Sequence, residues 1–470
     1  MDTVAPADAV ARLKAVVGPK GVAEGADAEP YFHEQRGLYR SVALAVLRPA
    51  STDEVAKLVT ICAEARLPVY PQGGNTGLAG GAVAAKNGVL INLGRMNRVR
   101  ALDALNFTIT AEAGCVLAEL QRAAEAADRL FPLSLGAEGS CQIGGNLSTN
   151  AGGINVLRYG NARELTLGLE VVLPDGRVWN GLRGLRKNNT GYDLKQLFIG
   201  AEGTLGIITA ATLKLFPRPR EVETALVGLK RVEDVMELFA RARTATGDQL
   251  TGFELIPRIG LDNILQYGEG FREPLAAKHP WYALVEISTS RGGAHLREAL
   301  EDLLAAAMEA DLVQDGTIAE SETQRRELWR IRAALAEQQE KLGGSIKHDV
   351  SVPISKVAEF IVRASAAVSE RLPGIRPYPF GHVGDGNIHF NLTQPPGAEK
   401  AVFLKRWAEF NRIVHDIVVA LGGSISAEHG IGLVRRDELA HYAAPLELET
   451  MRKVKAALDP LGIMNPGKVL

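Results

Sequence analysis

The chain carries 49 glycines, and the informative ones gather in three runs: residues 71–81, 136–153 and 200–206. Such runs mark backbone that approaches something closely or takes positive φ, because a Cβ is what forbids both. None has the G-x-G-x-x-G spacing after a strand, and none reads G-x-x-x-x-G-K-[ST]. Neither the dinucleotide fingerprint nor the Walker A loop is therefore present, and a nicotinamide Rossmann domain is disfavoured. Stretches of Gly, Asn, Thr and Ser nevertheless expose rows of amide N–H groups, the kind of nest that suits a pyrophosphate.

Between the runs the pattern alternates. Strands are expected at 42–48, 67–70, 89–93, 107–111, 169–173 and 207–216, with helices at 51–65, opened by a Ser51/Glu54 capping box, and at 116–129. Pro217-Arg218-Pro219 then interrupts, and longer helices follow at 232–245, 294–310, 322–342, 354–370 and 400–421. The expected organisation is one domain over 1–220, a second over 221–425, and a glycine-rich stretch, 426–470, that returns to the first.

Composition narrows the function. Lys+Arg 53 against Asp+Glu 55 leaves a net charge of −2, which argues against nucleic acid or other polyanions as partners. Cys62, Cys115 and Cys141 form no C-x-x-C pair, so a disulfide framework and a zinc ribbon are excluded and a reducing compartment is indicated. The N-terminus lacks a basic stretch leading into an apolar one, and no apolar run approaches the ~18 residues of a membrane span. A cytoplasmic enzyme is expected, with peripheral contact to the inner membrane as the variant.

The densest chemistry lies in Gly381-His382-Val383-Gly384-Asp385-Gly386-Asn387-Ile388-His389-Phe390-Asn391. Asp385-Gly386 between two β-forming runs predicts a two-residue hairpin turn that pairs 382 with 389. Opposed side chains stand roughly 4.5–5.5 Å apart at Cβ, so His382 and His389 would reach one metal ion, with Asn391 on the same face. Two imidazoles leave such a site short of a ligand, and Glu428, in Ser426-Ala427-Glu428-His429-Gly430, is the candidate carboxylate. In the helix at 322–342, Leu328, Ile331, Leu335 and Leu342 form one stripe, with Arg332 at its edge and Arg330 on the far side. Arg332 is thus the arginine that can look into a pocket.

The runs Pro71-Gln72-Gly73-Gly74-Asn75-Thr76-Gly77, 144–153 and 198–206 closely resemble the FAD-binding loops of the vanillyl-alcohol-oxidase-type flavoproteins. With the later motifs, the likeness covers nearly the whole chain. Within that superfamily it is most similar to the D-2-hydroxyglutarate dehydrogenases, with D-lactate dehydrogenases and the glycolate oxidase flavin subunit as relatives. The resemblance implies an α+β fold: a two-subdomain FAD-binding domain, an inserted α+β substrate (cap) domain, and a C-terminal segment returning to the flavin. It implies that Pro71, Gly73, Gly74, Asn75, Thr76, Gly77, Gly80 and Gly81 cradle the pyrophosphate. Pro132, Ser134, Gly136, Ser140, Gly144, Gly145, Thr149, Asn150, Ala151, Gly152 and Gly153 would line the flavin. Gly203, Gly206 and Ile208 would meet the adenine side, with Glu202 and Asn465 completing the cofactor set. Some relatives tether FAD through a histidine in the first loop; here Asn75 stands in that stretch and no His occurs between His33 and His279, so non-covalent FAD is expected.

By the same resemblance, His382, His389 and Glu428 hold a divalent metal, zinc first, with manganese or cobalt as alternatives. His429 is then the catalytic base and a substrate contact, Asn391 holds a carboxylate, and Arg332 with Lys347 grips the distal one. Lys347 points to a dicarboxylate, whereas Ala336 replaces the family's threonine and removes a hydroxyl donor. The implied reaction oxidises D-2-hydroxyglutarate, D-malate or another D-2-hydroxy acid to the 2-oxo acid. Electrons would leave to an external electron-transfer flavoprotein or quinone, since no iron–sulfur cysteine pattern is present. No sequence signal fixes the oligomeric state; a homodimer is the default. Other readings of the same residues are a D-lactate dehydrogenase or glycolate oxidase subunit, a non-redox flavoprotein transferase, and an electron-relay subunit.

Overall fold

Short apolar segments bounded by glycine, proline or polar residues give the strands of the first part of the chain. In the computed structural model, which describes residues 6–470, these are β1 (Val22–Ala23), β2 (Ala45–Leu47), β3 (Val69–Gln72), β4 (Val89–Asn92), β5 (Val99–Asp103) and β6 (Thr108–Glu112). β7 (Arg129–Leu130), β8 (Thr166–Val172), β9 (Val178–Asn180), β10 (Ile207–Lys214) and β11 (Phe216–Pro217) follow. A four-stranded sheet has the order β1-β2-β4-β3, with β2 and β3 parallel to β4. β4 is buried along its whole length, as a strand covered on both faces must be. The second sheet is antiparallel, β5-β6-β10-β8-β9.

The helix Thr52–Ala65 starts where expected. Ser51 Oγ accepts from the Glu54 amide at 3.2 Å, and the Glu54 carboxylate accepts from the Ala50 amide at 2.8 Å rather than from Ser51's own. Arg66, in the left-handed region at φ 51°, closes the helix. Residues through Gly152, Tyr159–Arg218 and Glu428–Leu470 make up one compact unit. Its C-terminal stretch rejoins the first sheet through a parallel bridge between Val69 and Met464.

The other unit, Gly153–Arg158 with Pro219–Ala427, holds β12 (Glu221–Leu229), β13 (Leu250–Pro257), β14 (Trp281–Thr289) and β15 (Val313–Ile318) in the antiparallel order β13-β14-β12-β15. A smaller sheet is built around β19 (Asn387–Thr393), flanked by β16 (Ser345–Ile346), β17 (Asp349–Ser351) and β18 (Arg376–Phe380). Helices Val232–Thr246, Leu296–Glu309, Val357–Arg371 and Trp407–Ala420 bury their apolar stripes in the core of this unit. The helix expected at 400–421 is two, Lys400–Leu404 and Trp407–Ala420. The one expected at 322–342 is α-helical over Glu322–Gln338 and ends in a 3₁₀ turn. No helix among the described residues is long and apolar enough to cross a membrane.

Candidate active site

In the first unit the three glycine runs converge on one cleft. Pro71, Gly73, Gly74, Asn75, Thr76, Gly77 and Gly81 line it from the first run, Gly144, Gly145 and Thr149 from the second, and Glu202, Gly203, Gly206 and Ile208 near the third; His429 joins them from the C-terminal stretch. Some of these glycines are required by close approach. A Cβ on Gly74 would stand 2.2 Å from the Ser140 carbonyl oxygen, and one on Gly203, at φ 72°, would stand 2.4 Å from Pro71 Cγ. Gly77 and Gly145 differ, with nothing within 4 Å of that position, so their missing side chains leave open space. Asn75 adopts φ 56° and donates from Nδ2 to the His33 carbonyl at 2.5 Å.

Glu202 and Asn465 knit this cleft together. The buried Glu202 carboxylate accepts from the amides of Ile431 and Gly432 at 2.7 and 2.8 Å. Burial pushes its pKa up despite those donors. Asn465 Nδ2 donates to the carbonyls of Gly81 and Glu202 at 2.9 and 2.7 Å. The segment just beyond His429 is thereby fixed to the first and third runs. Gly80, Pro132, Ser134, Gly136, Ser140, Asn150, Ala151, Gly152 and Asn465 do not line the cleft, and Gly153 belongs to the other unit. Gln142 and Asn146, inside the 140–153 stretch expected to line the flavin, do line it. Their buried Oε1 and Oδ1 atoms have no hydrogen-bond partner, so the cleft offers acceptors to a polar cofactor that carries donors.

In the second unit His382 and His389 approach one another with ring centroids 5.6 Å apart. The route differs from the two-residue turn. His389 pairs with Phe380, not with His382, and residues 381–386 form a longer loop. Gly381, at φ 138°, leaves β19 to bridge Leu255 in β13, and that switch of partner lengthens the connection. Within that loop the His382 ring still lies against the ring of His389. Asn391 shares His389's side of β19 and donates to Gln339 Oε1 at 2.7 Å.

Arg332 is buried, as its place at the edge of the helical stripe implies, while Arg330 reaches outward to the Glu269 carbonyl. Arg332 Nε donates to Glu254 Oε2 at 2.5 Å, and its guanidinium lies 5.1 Å from the Phe380 ring centroid. Glu254 Oε1 meets His382 Nδ1 at 2.6 Å. Burial alone would raise the Glu254 pKa, but the Arg332 charge and the hydrogen bonds from His382 and Arg332 outweigh it and hold the carboxyl at about 2. Asp385, three residues beyond His382, is pushed up by burial to about 6. Lys347 is partly exposed, with Nζ 3.4 Å from Glu340 Oε1. Asp349 Oδ1 lies 3.7 Å from His389 Nδ1 and accepts from Asn387 Nδ2 at 3.0 Å. The amide of Ala427 donates to the Asp349 carbonyl at 3.1 Å, and Glu428 follows it directly in the chain. Neither Glu254 nor Asp349 stood out in sequence; each is one acid on an otherwise buried strand.

Residues 43–181 match a family described as FAD binding domain, and residues 218–469 one described as FAD linked oxidases, C-terminal domain. A rice protein named probable D-2-hydroxyglutarate dehydrogenase, mitochondrial, is 38% identical over 100% of this chain and 82% of its own length. A zebrafish protein named D-2-hydroxyglutarate dehydrogenase, mitochondrial, is 40% identical over 90% of this chain and 78% of its own. A Saccharomyces cerevisiae protein named D-2-hydroxyglutarate–pyruvate transhydrogenase is 35% identical over 92% of this chain and 87% of its own. The chain belongs to the FAD-linked oxidases, in the D-2-hydroxyglutarate dehydrogenase family. It is an FAD-dependent oxidoreductase.

The fold agrees. p-Cresol methylhydroxylase superposes with a TM-score of 0.76 at 17% identity, covering 98% of this chain and 96% of that one. A 4-ethylphenol oxidase from Gulosibacter chungangensis gives 0.71 at 20% identity, covering 99% and 98%. The expected α+β fold of the vanillyl-alcohol-oxidase type is the observed one. The expectation of a cytoplasmic enzyme is corrected by the relatives, since the rice and zebrafish proteins are both named mitochondrial.

Proposed function

We propose that this protein oxidises D-2-hydroxyglutarate to 2-oxoglutarate, with His429 as the base that takes the C2 hydroxyl proton. The observation that carries the reading is His429 in the lining of the cleft where the glycine runs converge. When bound, non-covalent FAD supplies the acceptor for two electrons, and a divalent metal supplies Lewis acidity at the substrate hydroxyl. The chain's own residues orient and deprotonate. His382, His389 and Glu428 hold the metal, a two-histidine, one-carboxylate set that zinc, manganese or cobalt accept. Asn391 holds one substrate carboxylate, and Arg332 with Lys347 takes the other.

Anaerobic mixing of the yellow protein with D-2-hydroxyglutarate, D-malate, D-lactate and L-2-hydroxyglutarate tests this by following the flavin absorbance. Bleaching by the D-dicarboxylates alone is expected. Bleaching mainly by D-lactate overturns the two-cation grip, and no bleaching by any of them overturns the reaction.

The expected electron acceptor is an electron-transfer flavoprotein or a quinone. The yeast relative's name favours a second reading, in which a 2-oxo acid reoxidises the flavin within the same site. Adding pyruvate to the bleached protein separates the two: return of the yellow colour supports the 2-oxo acid, and persistence of the bleached form supports the external acceptor.

A further inference from the structure

β13 (Leu250–Pro257) contributes one acid, Glu254, at the point where two functional side chains from distant parts of the sequence meet. The carboxylate is 1% exposed, and each of its oxygens has a different partner: His382 Nδ1 on Oε1 and Arg332 Nε on Oε2. The backbone clamps the same spot. Leu255 and Gly381, the residues next to Glu254 and His382, exchange hydrogen bonds of 2.9 and 3.3 Å. Arg332 is fixed from a second side by the Phe380 ring. Buried this deeply, a carboxylate without partners would be very costly, and so would be the loss of either partner. Strand, loop and helix are therefore bound together through one carboxylate.

Two consequences follow for the chemistry. A carboxylate on Nδ1 makes that nitrogen the protonated one, so the imidazole lone pair lies on Nε2, and the ring is held at a fixed angle. Engaging Arg332 through Nε leaves its terminal Nη groups outside the hydrogen bond to Glu254. They form no other hydrogen bond among the described residues, and they present the paired donors that suit a carboxylate.

We propose that Glu254 is a positioning residue that sets the tautomer of His382 and the pose of Arg332 together, thereby coupling metal affinity to recognition of the substrate's distal carboxylate. This rests on the proposed function above, in which His382 is a metal ligand and Arg332 a substrate contact.

The test compares wild type, Glu254→Gln and Glu254→Asp as FAD-loaded proteins. Zinc affinity is measured by competition with a chromophoric chelator, and KM and kcat for D-2-hydroxyglutarate and D-lactate are measured at saturating zinc. Glu254→Gln is expected to bind zinc roughly 10–100-fold more weakly. It should also raise KM for the dicarboxylate more than for D-lactate. Glu254→Asp keeps the charge but is one methylene shorter, so it should recover one of the two losses and not both. A merely structural carboxylate would lower the melting temperature while leaving zinc affinity and the dicarboxylate preference unchanged, which overturns the proposal. A wild-type protein that binds no zinc overturns the metal reading and this inference with it; zinc bound equally by wild type and Glu254→Gln overturns the inference alone. Should Glu254→Gln fail to fold, histidine-selective ¹⁵N spectra of the unmutated holoenzyme decide: a His382 resonance protonated at Nδ1 supports the proposal, and one protonated at Nε2 overturns it.

Discussion

The first unit presents its ligand-facing surface largely as backbone, through Gly73, Gly74, Gly77, Gly144 and Gly145. The second presents side chains buried in mutual contact: Glu254 with Arg332 and His382, and Asp349 with Asn387. A backbone cradle depends on the absence of atoms and tolerates little addition. A side-chain cluster depends on the presence of specific atoms and tolerates little removal. The contrast predicts opposite mutational sensitivities, and His429 is the exception, a side chain in the lining of the cradle that is proposed to act as the base.

The largest effect is therefore expected at His429. His429→Ala should retain FAD, since the glycine cleft is intact, yet lose reduction by D-2-hydroxyglutarate by a factor of roughly 10²–10⁴, the usual contribution of a general base. Anaerobic stopped-flow reduction checks it; an unimpaired rate removes His429 from the mechanism. Next come the glycines. Gly74→Ala places a methyl 2.2 Å from the Ser140 carbonyl, against backbone that cannot swing aside, and should cost about 1–3 kcal/mol together with much of the bound FAD. Gly77→Ala meets nothing within 4 Å and should leave the melting temperature of the FAD-free protein nearly unchanged. Equal losses in the two variants would break the distinction between glycines that pack and glycines that leave room.

The same contrast explains what was legible in the sequence. A cradle made of backbone announces itself, because glycine at high local density is visible without any three-dimensional information; the runs at 71–81 and 200–206 needed only to be brought together. Arg332 was legible too, because a 3.6-residue period fixes which residue borders a buried stripe. Glu254 was not. It sits on a strand buried on both faces, where no alternation singles out one position, and its partners are 78 and 128 residues away. The His382–His389 turn was misread because hairpin chemistry is local, whereas Gly381 answers to a strand of another sheet. The two imidazoles nevertheless meet, His382 from the loop and His389 from β19.

The buried cluster also has a pH signature. The Glu254 carboxyl is held at about 2, below its ordinary value of 4.5. A depressed carboxylate pKa contributes stability that is present above about 4.5 and lost as the pH falls toward 2. The stability difference between wild type and Glu254→Gln should therefore be largest near neutrality and shrink across that window. Urea titrations at several pH values measure it, and a constant difference would mean that the carboxylate's charge contributes nothing.

The smallest stability effect is expected at Lys347, and it separates the two cations proposed for the distal carboxylate. Arg332 is buried and held by Glu254, whereas Lys347 is partly exposed and lies at 3.4 Å from an exposed Glu340. Exposed ion pairs of that kind contribute about 0–1 kcal/mol, because water screens them and two long side chains lose freedom in forming them. Lys347→Ala should accordingly leave the melting temperature within a degree or two of wild type, while Arg332→Ala should lower it markedly by leaving Glu254 one partner short. Their effects on substrate should converge: if both cations grip the same carboxylate, each variant raises KM for D-2-hydroxyglutarate and leaves that for D-lactate nearly unchanged. A Lys347→Ala protein with wild-type KM for both substrates would leave the grip to Arg332 alone, and the dicarboxylate preference would then depend on a single guanidinium.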